Sequence, residues 1–111
     1  MPHCIIEHSD NFMSEALIRK IHQACIKSSL FNEQGSDIKV RAQPFSHFKS
    51  GATDLNFIHV ELKILPGRTQ QQKQTLSQLA LEGLLSLEIT ECSISVEVTE
   101  IDITSYAKKI V

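Results

Sequence analysis

Apolar and polar side chains alternate along the chain in a pattern that predicts the same structural unit twice. Residues 3–8 (HCIIEH) are rich in isoleucine and predict a short strand. From Phe12 to Leu30, apolar residues recur at helical spacing with charged residues on the other side. Residues 38–43 then alternate with the two-residue period of a half-buried strand. Between the first strand and the helix, Ser9-Asp10-Asn11 offers turn and N-cap chemistry.

The second half of the chain repeats this order. Residues 57–64 alternate more clearly than any other segment, and Pro66-Gly67 ends the predicted strand. Thr69 followed by Gln72 matches a capping box, which predicts the start of a long helix. Residues 94–98 predict the last strand, and a slip of phase at Ile101 indicates a bulge or a strand end. The apolar side of the second helix consists of Leu76, Leu79, Ala80, Gly83, Leu84 and Leu87.

The predicted order is β-α-β-β-α-β, an α+β chain made of two βαβ units in tandem. In each unit the long crossover normally returns as a strand parallel to the first. Pro44 lacks the N–H that a central strand needs, so its strand bends there or lies at an edge. Other α+β sandwiches with this order, including ferredoxin-like ones, fit equally well, because element order alone does not choose between them.

One face of the predicted sheet is polar. If the apolar positions of each strand meet the helices, the opposite face carries charged and amide side chains. A solvated face of a two-layer sandwich is the simpler interpretation. The alternative is a face turned toward neighbouring subunits or a shared pocket. The polar positions are Lys39, Arg41, Gln43, His59, Glu61, Lys63 and Glu97.

The composition predicts one domain over residues 1–111 and excludes several function classes. The chain carries 11 Lys+Arg against 13 Asp+Glu, a net charge of -2, with no Trp and one Tyr. A nucleic-acid binder normally shows a basic stripe and stacking aromatic residues, so we expect no nucleic-acid partner. The apolar runs are too short to cross a bilayer, so we expect no membrane partner. So small a chain buries only about two-thirds of its unfolded surface, which makes a deep pocket difficult to build from one chain alone. We therefore expect partner subunits to complete any such pocket.

The N-terminus and the cysteines predict a cytoplasmic protein with reduced thiols. The residues after Met1 include an acidic residue, Glu7, and lack the apolar run of a signal peptide. Cys4, Cys25 and Cys92 are odd in number and contain no CxxC pair, which makes a poor disulfide framework. We therefore expect thiols that pack as small core hydrophobes, with a reactive thiol as the alternative.

Few residues carry recognisable chemistry, and none predicts a cofactor. The five histidines lack the spacing of a metal site, and no phosphate-binding glycine loop is present. The first candidate is Pro2, since removal of Met1 would leave proline's secondary amine as the first group of the chain. Such an amine moves protons near neutral pH if burial and nearby cations lower its pKa. If Met1 is retained, Pro2 is an ordinary amide, and a tolerated second residue is the alternative.

The second candidate is Gly67-Arg68-Thr69, where the clearest strand ends and a helix begins. Free amides at a helix N-terminus together with a guanidinium make a carboxylate site. A solvated arginine beside a cap is the alternative. Lys39 and Arg41 lie two apart on one predicted strand, so both project from the same face. They are suited to hold a second carboxylate or to polarise a carbonyl.

Two motifs in this chain resemble those of the 5-carboxymethyl-2-hydroxymuconate Δ-isomerases, within the tautomerase superfamily. The first, PHxIxExSDN, comprises Pro2, His3, Ile5, Glu7, Ser9, Asp10 and Asn11. The second, FxHxxLKIxxGR, ends a segment with Gly51, Asp54, Phe57, His59, Leu62, Lys63, Ile64, Gly67 and Arg68. The resemblance extends from residue 2 to about residue 69, and beyond that the match is one of pattern only.

The resemblance implies a tautomerase-like α+β fold, with a four-stranded mixed sheet and two helices on one face, assembled as a homotrimer. It implies a cofactor-free isomerase of a dicarboxylated 2-hydroxymuconate from aromatic compound degradation. The N-terminal proline shuttles a proton in that family while arginines bind and polarise the substrate. Pro2, Arg68 and Arg41 are the implied catalytic residues, with substrate bound by Lys39, Gly67 and Thr69.

One departure from the family concerns its substrate-binding arginines. Arg68 matches one of them, and the departure is at the second. In the simplest alignment this arginine falls on Lys39, and Arg41 falls on a neighbouring arginine of the family. Because lysine lacks the planar bidentate fork of arginine, this change puts the exact substrate in question. The alternatives are a related tautomerase with another enol or keto substrate, and a non-catalytic ligand-binding module of the same fold.

Overall fold

Six helices and strands follow one another in the predicted order. In the computed structural model, which describes residues 1–111, they are β1 (His3–Ser9), α1 (Ser14–Lys27), β2 (Lys39–Phe45), β3 (Asn56–Ile64), α2 (Gln70–Leu85) and β4 (Cys92–Glu100). No helix of the chain is long and apolar enough to span a membrane.

The four strands form one mixed sheet in the order β2-β1-β3-β4. β1 and β2 are parallel, as are β3 and β4, so each βαβ unit has the predicted parallel crossover. The two units join through antiparallel pairing of β1 with β3 at the centre of the sheet. The fold prediction of a four-stranded mixed sheet with two helices is therefore confirmed.

A single apolar core lies between the sheet and the two helices. Fourteen buried residues form one cluster. From the sheet it takes every second residue, such as Cys4 and Ile6 of β1, while α1 contributes Leu17 and Ile21. α2 contributes Leu76, Ala80 and Leu84, three residues of its predicted apolar side. The alternate strand residues therefore project from the open face of the sheet, which carries the predicted polar set.

The edge position of β2 explains how a proline fits into a strand. Pro44 lies opposite His8 in the parallel register of β2 with β1, and β2 is the outermost strand. The missing N–H of Pro44 therefore costs little on an edge strand. At the other edge, β4 ends at Glu100, and the Ile101 N–H donates to the Ile64 carbonyl at 2.7 Å. The predicted break in the alternation at Ile101 is therefore the end of β4.

The start of α1 differs from the prediction. The N-cap is Met13, without a side-chain hydrogen bond, so the expectation of a cap from Ser9-Asp10-Asn11 is wrong. Ser9 is the last residue of β1, and its hydroxyl donates to the Phe57 carbonyl at 3.3 Å and accepts from the Phe57 N–H at 3.2 Å. This hydroxyl fastens β1 to β3 and does not cap α1, which begins at Ser14.

Two of the three thiols are core residues. Cys4 and Cys25 are fully buried, with their sulfur atoms 3.6 Å apart, and all three cysteines are free. The hydrogen bond with Cys25 and burial both raise the pKa of the Cys4 thiol. The expectation of reduced thiols acting as small core hydrophobes is confirmed for this pair.

Candidate active site

The start of the chain lies at an end of the sheet that is rich in positive charge. Because β1 and β2 are parallel and β3 is antiparallel to them, the starts of β1 and β2 meet the end of β3. Lys39 and Lys63 flank His3 in the strand register. Neighbouring strands lie about 4.8 Å apart, so these three residues form a row across the open face. Neither lysine makes an ion pair within the chain, whose two pairs are His59–Glu97 and Lys73–Glu100.

Pro2 immediately precedes this row and is buried. Its side chain is less than 2 % exposed, and its carbonyl accepts a hydrogen bond from the Lys39 N–H at 3.1 Å. This bond fixes the start of β1 against the start of β2. In the chain with Met1, the nitrogen of Pro2 is an amide and has no basic lone pair.

The amine of Met1 occupies the same end of the sheet. It donates to the Asp37 carbonyl at 2.8 Å. Burial lowers the pKa of this amine, and the positive charge of Lys39 lowers it further. Both influences disfavour an ammonium ion at this position. A terminal amine here is therefore driven toward its neutral, basic form.

Arg41 lies two residues after Lys39 on β2, on the same face of the sheet, and contacts His3. Its Nη1 is 3.3 Å from His3 Nδ1, while His3 Nε2 is 3.1 Å from the hydroxyl of Tyr106. The two rings meet edge to face with centroids 6.2 Å apart. Burial lowers the pKa of His3, and Arg41 and Lys39 lower it further. Tyr106 belongs to the segment after β4 and is the only tyrosine, and no sequence spacing connected it with residue 3.

Arg68 lies in the turn after β3 and rests against the segment that follows α1. Its Nη2 donates to the Leu30 carbonyl at 2.6 Å, and its guanidinium carbon lies 5.4 Å from the centre of the Phe31 ring. These contacts hold the guanidinium in place. Because arginine has five N–H donors, those not bonded to Leu30 remain for a ligand.

Gly67 and Thr69 shape the turn around Arg68. Gly67 has a φ of 122°, a conformation that residues with a side chain rarely adopt. Thr69 caps α2: its hydroxyl accepts from the Gln72 N–H at 3.1 Å, and the Gln72 side chain accepts from the Thr69 N–H at 2.8 Å. The predicted capping box is confirmed. It occupies the Thr69 amide, so a ligand at this helix start would meet the Thr69 hydroxyl hydrogen or later amides.

The structure thus brings some of the predicted site residues into contact with one another and leaves others without such contacts. Pro2 bonds to the backbone of Lys39, and Arg41 joins them through His3. Gly67, Arg68 and Thr69 follow the end of β3, at the same end of the sheet, but Arg68 contacts Leu30 rather than this group.

No concavity of the single chain is lined by Pro2 or Arg68. A shallow concavity of about 300 Å³ adjoins Arg41 and is lined also by Ile5, Ile6, Ala42 and Gln43. The other concavities lie along α1 and α2 and include none of the predicted site residues. The candidate site is therefore an open, positively charged end of the sheet.

Comparison with known families accounts for almost the whole chain. Residues 2–109 match the family described as 5-carboxymethyl-2-hydroxymuconate isomerase. The chain belongs to this family. The resemblance indicated by the two sequence motifs is confirmed, and with it the assignment to an isomerase or tautomerase. A search of curated protein sequences finds no significant match to this isomerase-family chain.

Solved structures share the fold of this isomerase-family protein at low sequence identity. A 5-carboxymethyl-2-hydroxymuconate isomerase from Deinococcus radiodurans R1 is 22% identical, with a TM-score of 0.78, covering 97% of this chain and 88% of the other. A malonate semialdehyde decarboxylase inhibited by 3-bromopropiolate is 14% identical, with a TM-score of 0.74 and coverages of 96% and 88%. A fused 4-OT described as a symmetric trimer is 15% identical, with a TM-score of 0.74 and coverages of 89% and 85%.

Proposed function

We propose that this protein is a cofactor-free isomerase of 5-carboxymethyl-2-hydroxymuconate, which carries three carboxylates, or of a related dicarboxylated 2-hydroxymuconate, with the Pro2 amine as proton shuttle. The observation that carries the proposal is the position of the chain's amino end, beside Lys39 and the unpaired positive groups of the open face. An anionic substrate and a neutral amine base both fit this environment.

The base would arise by removal of Met1. The new amine would sit one residue further along the chain, immediately before β1, at a residue that is buried in the chain with Met1. Burial and the charge of Lys39 lower the pKa of the Met1 amine, and we expect both influences to lower the pKa of a Pro2 amine as well. A neutral amine near neutral pH is the protonation state that a general base requires.

Positive side chains would bind and polarise the substrate. Arg68, held by Leu30 and Phe31, is our first candidate for the 1-carboxylate and 2-oxo end of the substrate. Arg41 and Lys39 on the open face supply positive charge for the same end or for a second carboxylate. Gly67 and Thr69 shape the turn that presents Arg68. Groups fixed in advance around developing charge give the largest electrostatic gain.

The proposed reaction moves one proton and one double bond. Neutral Pro2 removes the proton of the 2-hydroxyl group, and the resulting dienolate carries its negative charge toward the arginines. The protonated amine then returns its proton, directly or through a water molecule, to a carbon of the conjugated chain. The product is an unsaturated ketone with the same atoms as the substrate, and the amine is neutral again.

The enclosing walls of the site would come from neighbouring subunits in a homotrimer. The open sheet face is unpaired in the single chain, and one protein of similar fold is described as a symmetric trimer. A trimer with sheets facing inward would cover Lys39, Arg41 and Lys63. This assembly explains how a chain of 111 residues builds a site that it does not enclose alone.

A related tautomerase acting on another enol is the second candidate. Lys39 stands where the family's second arginine aligns, and a lysine does not offer the bidentate fork of a guanidinium. This difference favours a substrate whose second acidic group can be bound by the single positive charge of an ammonium, without the two parallel N–H donors of a guanidinium. A decarboxylase shares the fold, so the fold alone does not decide the reaction.

A substrate panel tests the proposal. The purified protein is assayed by ultraviolet absorbance with a dicarboxylated 2-hydroxymuconate, the corresponding monocarboxylate and the enol of an aryl pyruvate. We expect the dicarboxylate to show the highest kcat/KM, because both anionic ends meet positive groups. A preference for the aryl enol would favour the second candidate. No isomerisation of any enol would indicate a non-catalytic binding module.

A further inference from the structure

His3 links two side chains from distant parts of the chain, immediately beside Pro2. Its Nδ1 faces the Arg41 guanidinium of β2, and its Nε2 faces the Tyr106 hydroxyl from the segment after β4. The imidazole is half-buried, and its ring nitrogens have these two hydrogen-bond partners within the chain. Neither His3 nor Tyr106 has a role in the reaction proposed above.

The chemistry of arginine decides where the proton of His3 lies. A guanidinium has only donors, so Nδ1 of His3 must accept the hydrogen bond from Arg41. A neutral imidazole whose Nδ1 accepts carries its proton on Nε2. That N–H therefore donates to the oxygen of Tyr106, which leaves the tyrosine hydroxyl hydrogen free to donate to a third group.

The surrounding charges favour this neutral form. The groups that face His3 are Arg41 and Lys39 of β2, Lys63 of β3, the terminal amine and the Tyr106 hydroxyl. Burial and the positive members of this set lower the pKa of His3 below its ordinary range. A protonated imidazole would point a donor at the Arg41 guanidinium and break the link.

We propose that neutral His3 is a positioning residue that aligns the Arg41 guanidinium and the Tyr106 hydroxyl as two directed donors for a carboxylate or enolate bound beside Pro2. This inference rests on the proposed function and deepens it. It assigns the directed hydrogen bonds to Arg41, while Lys39 attracts the anion by its charge alone. It also adds Tyr106 to the groups that contact the anion.

The first test does not depend on catalysis. Nitrogen-15 chemical shifts of the imidazole report which ring nitrogen carries the proton. We expect His3 protonated on Nε2, with a titration midpoint below about 6.5. In Arg41→Met the midpoint should rise, because a positive neighbour is lost. A proton on Nδ1 in the native protein, or a midpoint unchanged by Arg41→Met, would overturn the proposal even if the protein is an active isomerase.

The second test uses the kinetics of paired variants. We expect His3→Phe and Tyr106→Phe each to lower kcat/KM about tenfold, since each removes a directed donor or its alignment. The double variant should be no worse than His3→Phe alone, because both changes break one chain of hydrogen bonds. His3→Asn keeps an acceptor for Arg41 and should restore part of the loss, which a purely structural role would not predict.

The controls separate this proposal from the proposed function. His47→Asn changes an exposed histidine far along the chain and should leave kcat/KM unchanged. Tyr106→Phe lies outside the helices and strands, so it keeps the test valid if His3→Phe does not fold. Fully additive losses in the double variant would refute the linked role. A native protein with no activity would refute the proposed function, while the nitrogen-15 result would still decide the protonation of His3.

Discussion

The two ends of the sheet are built from the same strands and carry opposite chemistry. At one end the starts of β1 and β2 bring Pro2, His3 and unpaired positive side chains together. At the other end, Phe57 at the start of β3 contacts Phe45 and Phe48, with ring centroids 6.2 and 5.0 Å apart. The tandem repeat makes these ends related by topology, so the difference comes from side chains alone.

The two histidines of β1 show the same contrast. His8, near the aromatic end, is fully buried, with Nδ1 2.7 Å from the Ser9 carbonyl and Nε2 2.8 Å from the Ser14 hydroxyl. Its partners are neutral groups of one local turn. His3 is half-buried, and its partners are a cation and a phenol from distant segments. One end is therefore arranged for packing, and the other exposes positive charge.

The largest expected effect is at the charged end. Arg68→Ala should lower kcat/KM about 100-fold or more, because a fixed donor near developing negative charge is lost. Arg68→Lys should restore only a small part, since lysine lacks the bidentate fork. Steady-state kinetics on the folded protein provide the measurement. Arg19→Ala, on the exposed side of α1, is the matched control, and an equal loss there would show that general charge is responsible.

A substitution at the other end of the sheet, where Phe45, Phe48 and Phe57 meet, should lower stability and leave activity nearly unchanged. Phe57→Ala removes half-buried ring contacts with Phe45 and Phe48, so the free energy of unfolding should fall by about 1–3 kcal/mol. The kcat/KM of the remaining folded protein should stay within twofold of the native value. Urea unfolding and kinetics measure the two quantities. A strong loss of activity without a loss of stability would break the comparison.

Thr69 lies at the charged end but has a structural contact as well. Thr69→Ala should lower the free energy of unfolding by about 1 kcal/mol, because the capping box with Gln72 is lost. Thr69→Ser keeps a hydroxyl acceptor and should recover most of that stability. Thermal unfolding of both variants checks this. If Thr69→Ala is as stable as the native protein, the cap does not hold the turn that presents Arg68.

The smallest expected effect is in the pH dependence of stability. The pKa of His3 is lower in the folded chain than in the unfolded chain, so the unfolded state binds more protons between those two values. Stability should therefore rise with pH through this window, below about 6.5, and fall on acidification. In His3→Gln this contribution should disappear, which urea unfolding at several pH values will show. An unchanged slope would mean that His3 is not held neutral.

Much of the fold could be predicted because alternation and capping act locally. The period of residues 57–64 and the Thr69–Gln72 capping box both appear in the structure. The antiparallel pairing of β1 with β3 was not predictable from element order, because it depends on how two complete units pack. The N-cap of α1 was misplaced because Ser9 bonds across the sheet to Phe57, a residue 48 positions away.

The candidate site shows the same division between local and distant information. Pro2 and the Gly67-Arg68-Thr69 turn are recognisable because each is a contiguous motif with its own chemistry. The link from Arg41 through His3 to Tyr106 joins residues 41, 3 and 106, which only the sheet and the segment after β4 bring together. The hydrogen bond from Arg68 to the Leu30 carbonyl was likewise not predictable from the sequence, because the acceptor lies 38 residues away in a loop.

The most direct test of the central claim compares two preparations of the protein, one that begins at Pro2 and one that retains Met1. Intact mass identifies each form, and circular dichroism verifies that both are folded. We predict that isomerase activity follows the form with a free Pro2 amine and falls at least about 1,000-fold when Met1 is retained, since the base is then an amide. Full turnover by the protein that keeps Met1 would contradict the account.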